Sequence, residues 1–265
     1  MNQDLNMKTT FTKKTQYLSN TLKLLSVGAF VLVAMSATAQ TTFNYTGSLQ
    51  TYTVPVGVTS IHVDAQGAQG GSITIACPAT GGLGARMQGD VTVTPGEVIT
   101  ILVGGQGQSN GEDAGGGGGS FVVRTGNVPL VVAGGGGGAS NNIQICTGLR
   151  NGVNASITTS GTASANGLVA GGTAGNGGGA NVGSGCGGGG FLTDGGYGAN
   201  MNGRGRAFIN GGAGGTGSVS NDHGGYGGGG CGWFYGGNGG GGGGYSGGGT
   251  DGNYPSTYFG GGGGG

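Results

Sequence analysis

Asp222-His223, with Ser218 and Ser220 just before them, is the stretch that most invites a catalytic reading, since it gathers a carboxylate, an imidazole and two hydroxyls. Nucleophilic hydrolysis needs a base within hydrogen-bond reach of the nucleophile and a third group that orients the base. Near neighbours on one glycine-flanked loop cannot all take up that geometry, so no catalytic residue is assigned. Glu112, Asp113, Asp194, Asp222 and Asp251 are oxygen ligands of the kind calcium takes. The G-G-x-G-x-D repeat that builds such sites is not completed at any of them, and Ser246 breaks it ahead of Asp251. They read as turn residues, and no metal is expected. G-x-G patterns abound, but a phosphate loop ends in G-K-[ST] and no lysine follows Lys23. No cofactor is expected. The chain reads as non-catalytic.

The start of the chain is a targeting segment. Lys8, Lys13, Lys14 and Lys23 precede the apolar run LLSVGAFVLVAM at residues 24–35, and Ala37-Thr38-Ala39 is an A-x-A cleavage signal. Residues 1–39 are therefore expected to be a signal peptide cut between Ala39 and Gln40. The apolar run is shorter than the roughly 20 residues a membrane span needs, and no later segment approaches that length, so no span is expected after cleavage. Export to the cell surface or medium follows, and the signal-peptide style suggests a bacterium. Cleavage removes every lysine and leaves five arginines against eight acids, a net charge of about −3. Arg204-Gly205-Arg206 resembles an RGG element, but nucleic-acid binding needs a basic footprint that this chain lacks.

Cys77, Cys146, Cys186 and Cys231 form an even set in an exported chain, which predicts disulfides. Three connectivities are open, and local context favours Cys77–Cys146 and Cys186–Cys231. No two cysteines have the C-x₂₋₄-C spacing of a zinc site.

Glycine fills 77 of the 265 positions, and one alone of these, Gly28, precedes Gln40. Thirty of them lie in unbroken runs at 115–119, 134–138, 187–190, 227–230, 239–244 and 260–265. Glycine loses more backbone entropy on ordering than any other residue. Such runs are either disordered or exist because backbone must pack on backbone, as it does when polyproline-II helices lie side by side. Cysteines within the runs and apolar segments between them favour order.

Those apolar segments read as strands over residues 41–135. Residues 42–55 are β-branched and aromatic. In residues 60–65, Ile61, Val63 and Ala65 share one face while His62 and Asp64 face solvent. Residues 84–94 and 97–103 are expected to form a hairpin about Pro95-Gly96, whose types suit a type II turn. Residues 121–124 and 128–133 add two more strands. With no helix signal, the pattern predicts an all-β antiparallel sandwich at 41–135 and a polyglycine-rich part at 134–265.

FNYTGSLQTYTVPVGVTSIHVDAQGAQGG at 43–71, GGGGGSFVV at 115–123, VPLVVAGGGGGAS at 128–140, and the glycine runs around Tyr226 and Tyr245 carry a likeness. Together they resemble the glycine-rich domain of the anaplastic lymphoma kinase and leukocyte tyrosine kinase receptors. The resemblance implies a jelly-roll-like sandwich from which a hexagonal bundle of polyglycine helices projects. It does not bring kinase activity, because the V-A-I-K, H-R-D and D-F-G motifs are absent. Relatives follow the last glycine run with a closing strand, so the chain is expected to be truncated at Gly265. The function expected is adhesion or ligand binding through the aromatic triplet Trp233, Phe234 and Tyr235, with surface glycans or proteins as partners. The alternatives are a structural matrix or spacer protein and an ectodomain piece of a larger receptor or enzyme.

Overall fold

The computed structural model describes residues 9–13, 40–75, 78–141, 150–198, 202–217, 221–232, 238–253 and 257–265. Two four-stranded antiparallel sheets carry the apolar segments. One has the order β2 (Thr41–Phe43), β1 (Thr9–Lys13), β4 (Ser60–Gln66), β5 (Arg86–Thr92). The other runs β3 (Gln50–Thr53), β6 (Val98–Leu102), β7 (Ser120–Arg124), β8 (Val128–Ala133). Two short strands, β9 (Gly252–Asn253) and β10 (Thr257–Tyr258), pair near the end of the chain. The fold is all-β, with a short 3-10 turn at Phe208–Asn210.

Strand alternation works as expected on β4. Ile61, Val63 and Ala65 are buried, while His62 points outward and its Nδ1 lies 2.9 Å from Asp90 Oδ1. These three residues share one core with Ile99 and Ile101 of β6 and Val122 of β7, so the two sheets face each other. Residues 42–55 hold two strands, β2 and β3, which belong to different sheets. The expected hairpin about Pro95-Gly96 is corrected. The turn forms, with Gly96 at φ +83° and the Glu97 N–H donating to Thr94 O at 2.9 Å. It carries the chain from one sheet to the other, so Val93 meets Ile99 and Ile101 through the core. The apolar pattern that suggested pairing across a hairpin arises equally from pairing across a core.

β7 is buried on both faces. Val122 enters the core between the sheets, while Phe121 and Val123 pack on the opposite side with Phe191 and Phe208 from the glycine-rich part. Phe208 stacks against Phe191 with ring centroids 5.1 Å apart and lies 5.1 Å from Phe121. Such aromatics bury roughly 150–250 Å² each. They join the glycine-rich part to the outer face of the β6–β7 sheet.

Within the glycine-rich part the backbone itself is the packing surface. Successive amides of the run at 115–119 donate in different directions. Gly115 and Gly118 reach Gln108 and Gly105, Gly116 and Gly119 reach Gly230 and Gly227, and Gly117 reaches Gly136 at 2.8 Å. The run at 239–244 repeats this period of three: Gly239 and Gly242 donate to Phe259 and Gly262, Gly240 and Gly243 to Ala114 and Gly117, Gly241 and Gly244 to Cys186 and Gly189. None of the glycines in these two runs has a left-handed φ. The need for glycine is steric. A Cβ on Gly117 would meet Ala68 O, one on Gly188 would meet Gly242 O, and one on Gly242 would meet Gly135 O, each nearer than any real Cβ approaches a carbonyl.

β1 comes from the stretch read as a signal peptide. It lies between β2 and β4 and runs antiparallel to both, with Phe11 opposite Thr41 and Val63. The described chain resumes at Gln40, which is exposed, and Ala39 lies outside the described residues.

Candidate functional site

The run that begins at Gly187 brings Cys186 against Cys231. The Cys186 N–H donates to Cys231 O at 3.0 Å, Cys186 O accepts from Gly241, and the Cys231 N–H donates to Gly203 O. Held this way, the two Sγ atoms lie 3.1 Å apart, fully buried, as thiols. The Cys186 contact, burial and the nearby Asp222 and Asp113 carboxylates all raise the Cys231 thiol pKa well above its ordinary value. This is one of the two sequence-favoured pairs. Cys77 and Cys146 lie outside the described residues.

Asp113 and Asp222 are both fully buried beside this pair. Gly232 brings them together: its N–H donates to Asp222 O, and a Cβ on it would meet Asp113 Cβ. Burial pushes the Asp113 pKa up to about 8, against the pull of the Asn110 hydrogen bond and with help from the charges of Asp222 and Glu112. Asp113 is thus a neutral acid at mildly acidic pH, and its Oδ1 has no hydrogen-bond partner.

Asp222 and His223, the pair weighed for catalysis, are not hydrogen-bonded to each other. His223 Nδ1 accepts the Gly217 N–H at 2.8 Å, so that nitrogen carries no proton to give to a carboxylate. Asp222 Oδ1 stands 4.0 Å from it. Ser218 and Ser220 lie outside the described residues. Asp194 and Asp251 are occupied in holding loops. Asp194 accepts from Arg206, Asn210 and the Ala207 N–H, and Asp251 accepts from Asn166, Asn181 and the Gly252 N–H. Among the described residues no group of three or more His, Cys, Asp or Glu side chains is placed to hold a metal ion.

Arg86, Arg124, Arg150, Arg204 and Arg206 are also engaged within the chain. Arg86 grips Asp64 through two nitrogens, Arg124 pairs with Glu97, and Arg150 donates to Pro78 O. Arg204 and Arg206, the pair that resembled an RGG element, both face Asp194, at 3.5 and 2.7 Å.

Trp233, Phe234 and Tyr235 lie outside the described residues. A binding surface that sequence reasoning missed lies elsewhere. β5 and β8 are edge strands of the two sheets, and between them runs an open groove. Met87 and Val91 line one side and Leu130 and Val132 the other, with Ile157 and Tyr245 on loops of the glycine-rich part at its rim. Ile157 is 75 % exposed. Asp90 lies between these β5 positions, but its carboxylate faces outward to His62, on the other side of the strand. No sequence signal links these residues, because the groove exists only where two sheet edges and a distant loop converge.

Among the described residues no helix is long and apolar enough to cross a membrane. No protein-family model matches this chain, and no curated protein matches it either.

Proposed function

We propose that this chain is an exported, non-catalytic binding module of the cell surface or medium. Its fold is a jelly-roll-like sandwich carrying a bundle of polyproline-II-type polyglycine helices. The likeness to the glycine-rich domain of the anaplastic lymphoma kinase type is part of this reading. Support for the bundle comes from the three-residue period of the hydrogen-bond partners, which is the period of a polyproline-II helix. Supporting the sandwich is the core shared by the two sheets.

The observation that carries binding is the apolar groove between β5 and β8. Grooves of this kind take ligands by burying apolar surface, with a few polar groups to orient them. Met87, Val91, Leu130 and Ile157 supply the apolar surface, with Thr158 and Thr159 beside Ile157 as polar residues of the lining. The ligand class is a surface protein or a glycan, and Tyr245 and the triplet Trp233, Phe234 and Tyr235 are the aromatics that would stack on it. The test is binding of the chain from Gln40 onward to glycan and matrix-protein arrays. Ile157→Asp is expected to reduce binding at least tenfold, and replacing Trp233, Phe234 and Tyr235 by alanine separates the loop from the groove. Binding unchanged in both variants, or no binding by the parent, would refute the reading.

A second reading, a matrix or spacer protein without a specific ligand, draws on the extent of the backbone lattice. It requires the secreted protein to assemble into insoluble or filamentous material. A third, an ectodomain portion of a larger receptor or enzyme, requires a longer reading frame.

A further inference from the structure

We propose that removal of the leader turns this chain into a strand-exchanged dimer, in which each copy's Thr41–Phe43 strand fills the position that Thr9–Lys13 holds in the precursor. The proposal rests on the export reading above.

The argument begins with β1. It is the strand between β2 and β4, and it is the sole sheet neighbour of β2 among the described strands. Cleavage after Ala39 takes it away. β4 is then left with an open edge above a core that includes Val63, and β2 loses its sheet neighbour while Phe43 keeps its edge-to-face contact with Tyr52. An open edge next to an apolar core recruits another strand. Each β2 keeps its own place beside the vacated position and at the same time fills the partner copy's, giving the sheet order β4, partner β2, β2, partner β4.

The occupant is specified by sequence and register. β1 reads Thr-Thr-Phe-Thr-Lys, and β2 reads Thr-Thr-Phe. β1 pairs with β2 as Thr9 opposite Phe43, Thr10 opposite Thr42 and Phe11 opposite Thr41. Put a second copy's Thr41, Thr42 and Phe43 in place of Thr9, Thr10 and Phe11, and the pairing becomes its own mirror in register. Thr42 then faces Thr42 across a two-fold axis, and each Thr41 faces a Phe43. That is the self-complementarity that a closed dimer requires. The same substitution sets the incoming Phe43 opposite Val63 and the incoming Thr42 opposite Asp64. A chain's own β2 does not serve as well. It runs parallel to its own β4, whereas the position between them is antiparallel to β4.

The experiment uses the chain beginning at Gln40, made directly, beside the full chain with its leader retained. Light scattering is expected to give twice the monomer mass for the first and the monomer mass for the second. A Thr42→Cys variant of the shorter chain is expected to form an intermolecular disulfide on oxidation, because paired Cα atoms in an antiparallel ladder lie about 4.5–5.5 Å apart. Ser48→Cys is expected to give none, and a chain starting at Asn44 is expected to be monomeric. A monomeric Gln40 chain overturns the proposal, as does a dimer that survives loss of residues 40–43 or one that Thr42→Cys does not cross-link. The mass of the secreted product reports separately whether the leader is removed, so failure of the export reading is seen independently of the dimer.

Discussion

Cys186 Sγ lies 3.1 Å from Cys231 Sγ, at a point where both residues are held by backbone hydrogen bonds to glycine runs. A disulfide would need the sulfurs to close by about 1 Å. In an oxidising compartment the pair is expected to join. The loop it closes spans 45 positions, and such a bridge contributes roughly 2–4 kcal/mol. Intact-mass and peptide mapping of the secreted protein should find Cys186 linked to Cys231. Replacing both by alanine should lower the melting temperature. Two alkylatable thiols in the folded, secreted protein would contradict this.

Asp113 gives stability an unusual pH dependence. Its folded-state pKa, about 8, lies above the ordinary carboxylate value of the unfolded chain. The stability it contributes is therefore complete below pH ~4 and is lost as pH rises towards 8, by on the order of a few kcal/mol. Asp64 and Glu97 act in the opposite sense. Hydrogen bonds from Arg86 and Arg124 hold their pKa values below the ordinary range, so their contribution is present above that range and fades as acid protonates them. Denaturation midpoints should peak in mildly acidic solution and decline towards pH 8. Asp113→Asn should flatten the decline on the alkaline side. An alkaline slope that persists in that variant would assign the effect to another group.

Two glycine substitutions separate space from chain entropy. At Gly188 a Cβ would meet the backbone carbonyls of Gly242 and Gly241, which cannot move aside as a side chain tip can. Gly188→Ala should cost at least the ~1–3 kcal/mol of an overpacked core. Gly89, on β5, has nothing within 4 Å of the corresponding position. Gly89→Ala should be neutral or stabilising by up to about 1 kcal/mol, since alanine has less entropy to lose. Urea midpoints compare the two, and equal effects would mean that the run at 187–190 is not packed.

What could be read in the sequence follows from how local each signal is. The alternation of Ile61, Val63 and Ala65 fixes one face of β4, and Gly96 fixes a turn, because both depend on near neighbours. Which sheet a strand joins depends on distant residues, and so the Pro95-Gly96 turn was expected to close a hairpin when it instead links two sheets. The aromatics beyond residue 134 are scattered among glycines in the sequence. Phe191 and Phe208 dock on Phe121, a contact that no sequence spacing announces. Cys186 and Cys231 were paired on sequence context, because both abut glycine runs. The groove between β5 and β8 had no local signature at all.

The account rests on the glycine runs being packed backbone, and amide hydrogen exchange tests this most directly. Gly117 donates to Gly136 O, Gly243 donates to Gly117 O, and Gly135 donates to Gly243 O, forming one chain of buried bonds across three runs. The amides of Gly117, Gly135 and Gly243 are expected to exchange as slowly as those of Ile101 and Val122 in the sheet core. Exchange of the three glycines at the rate of an unstructured chain, while Ile101 and Val122 remain protected, would contradict it.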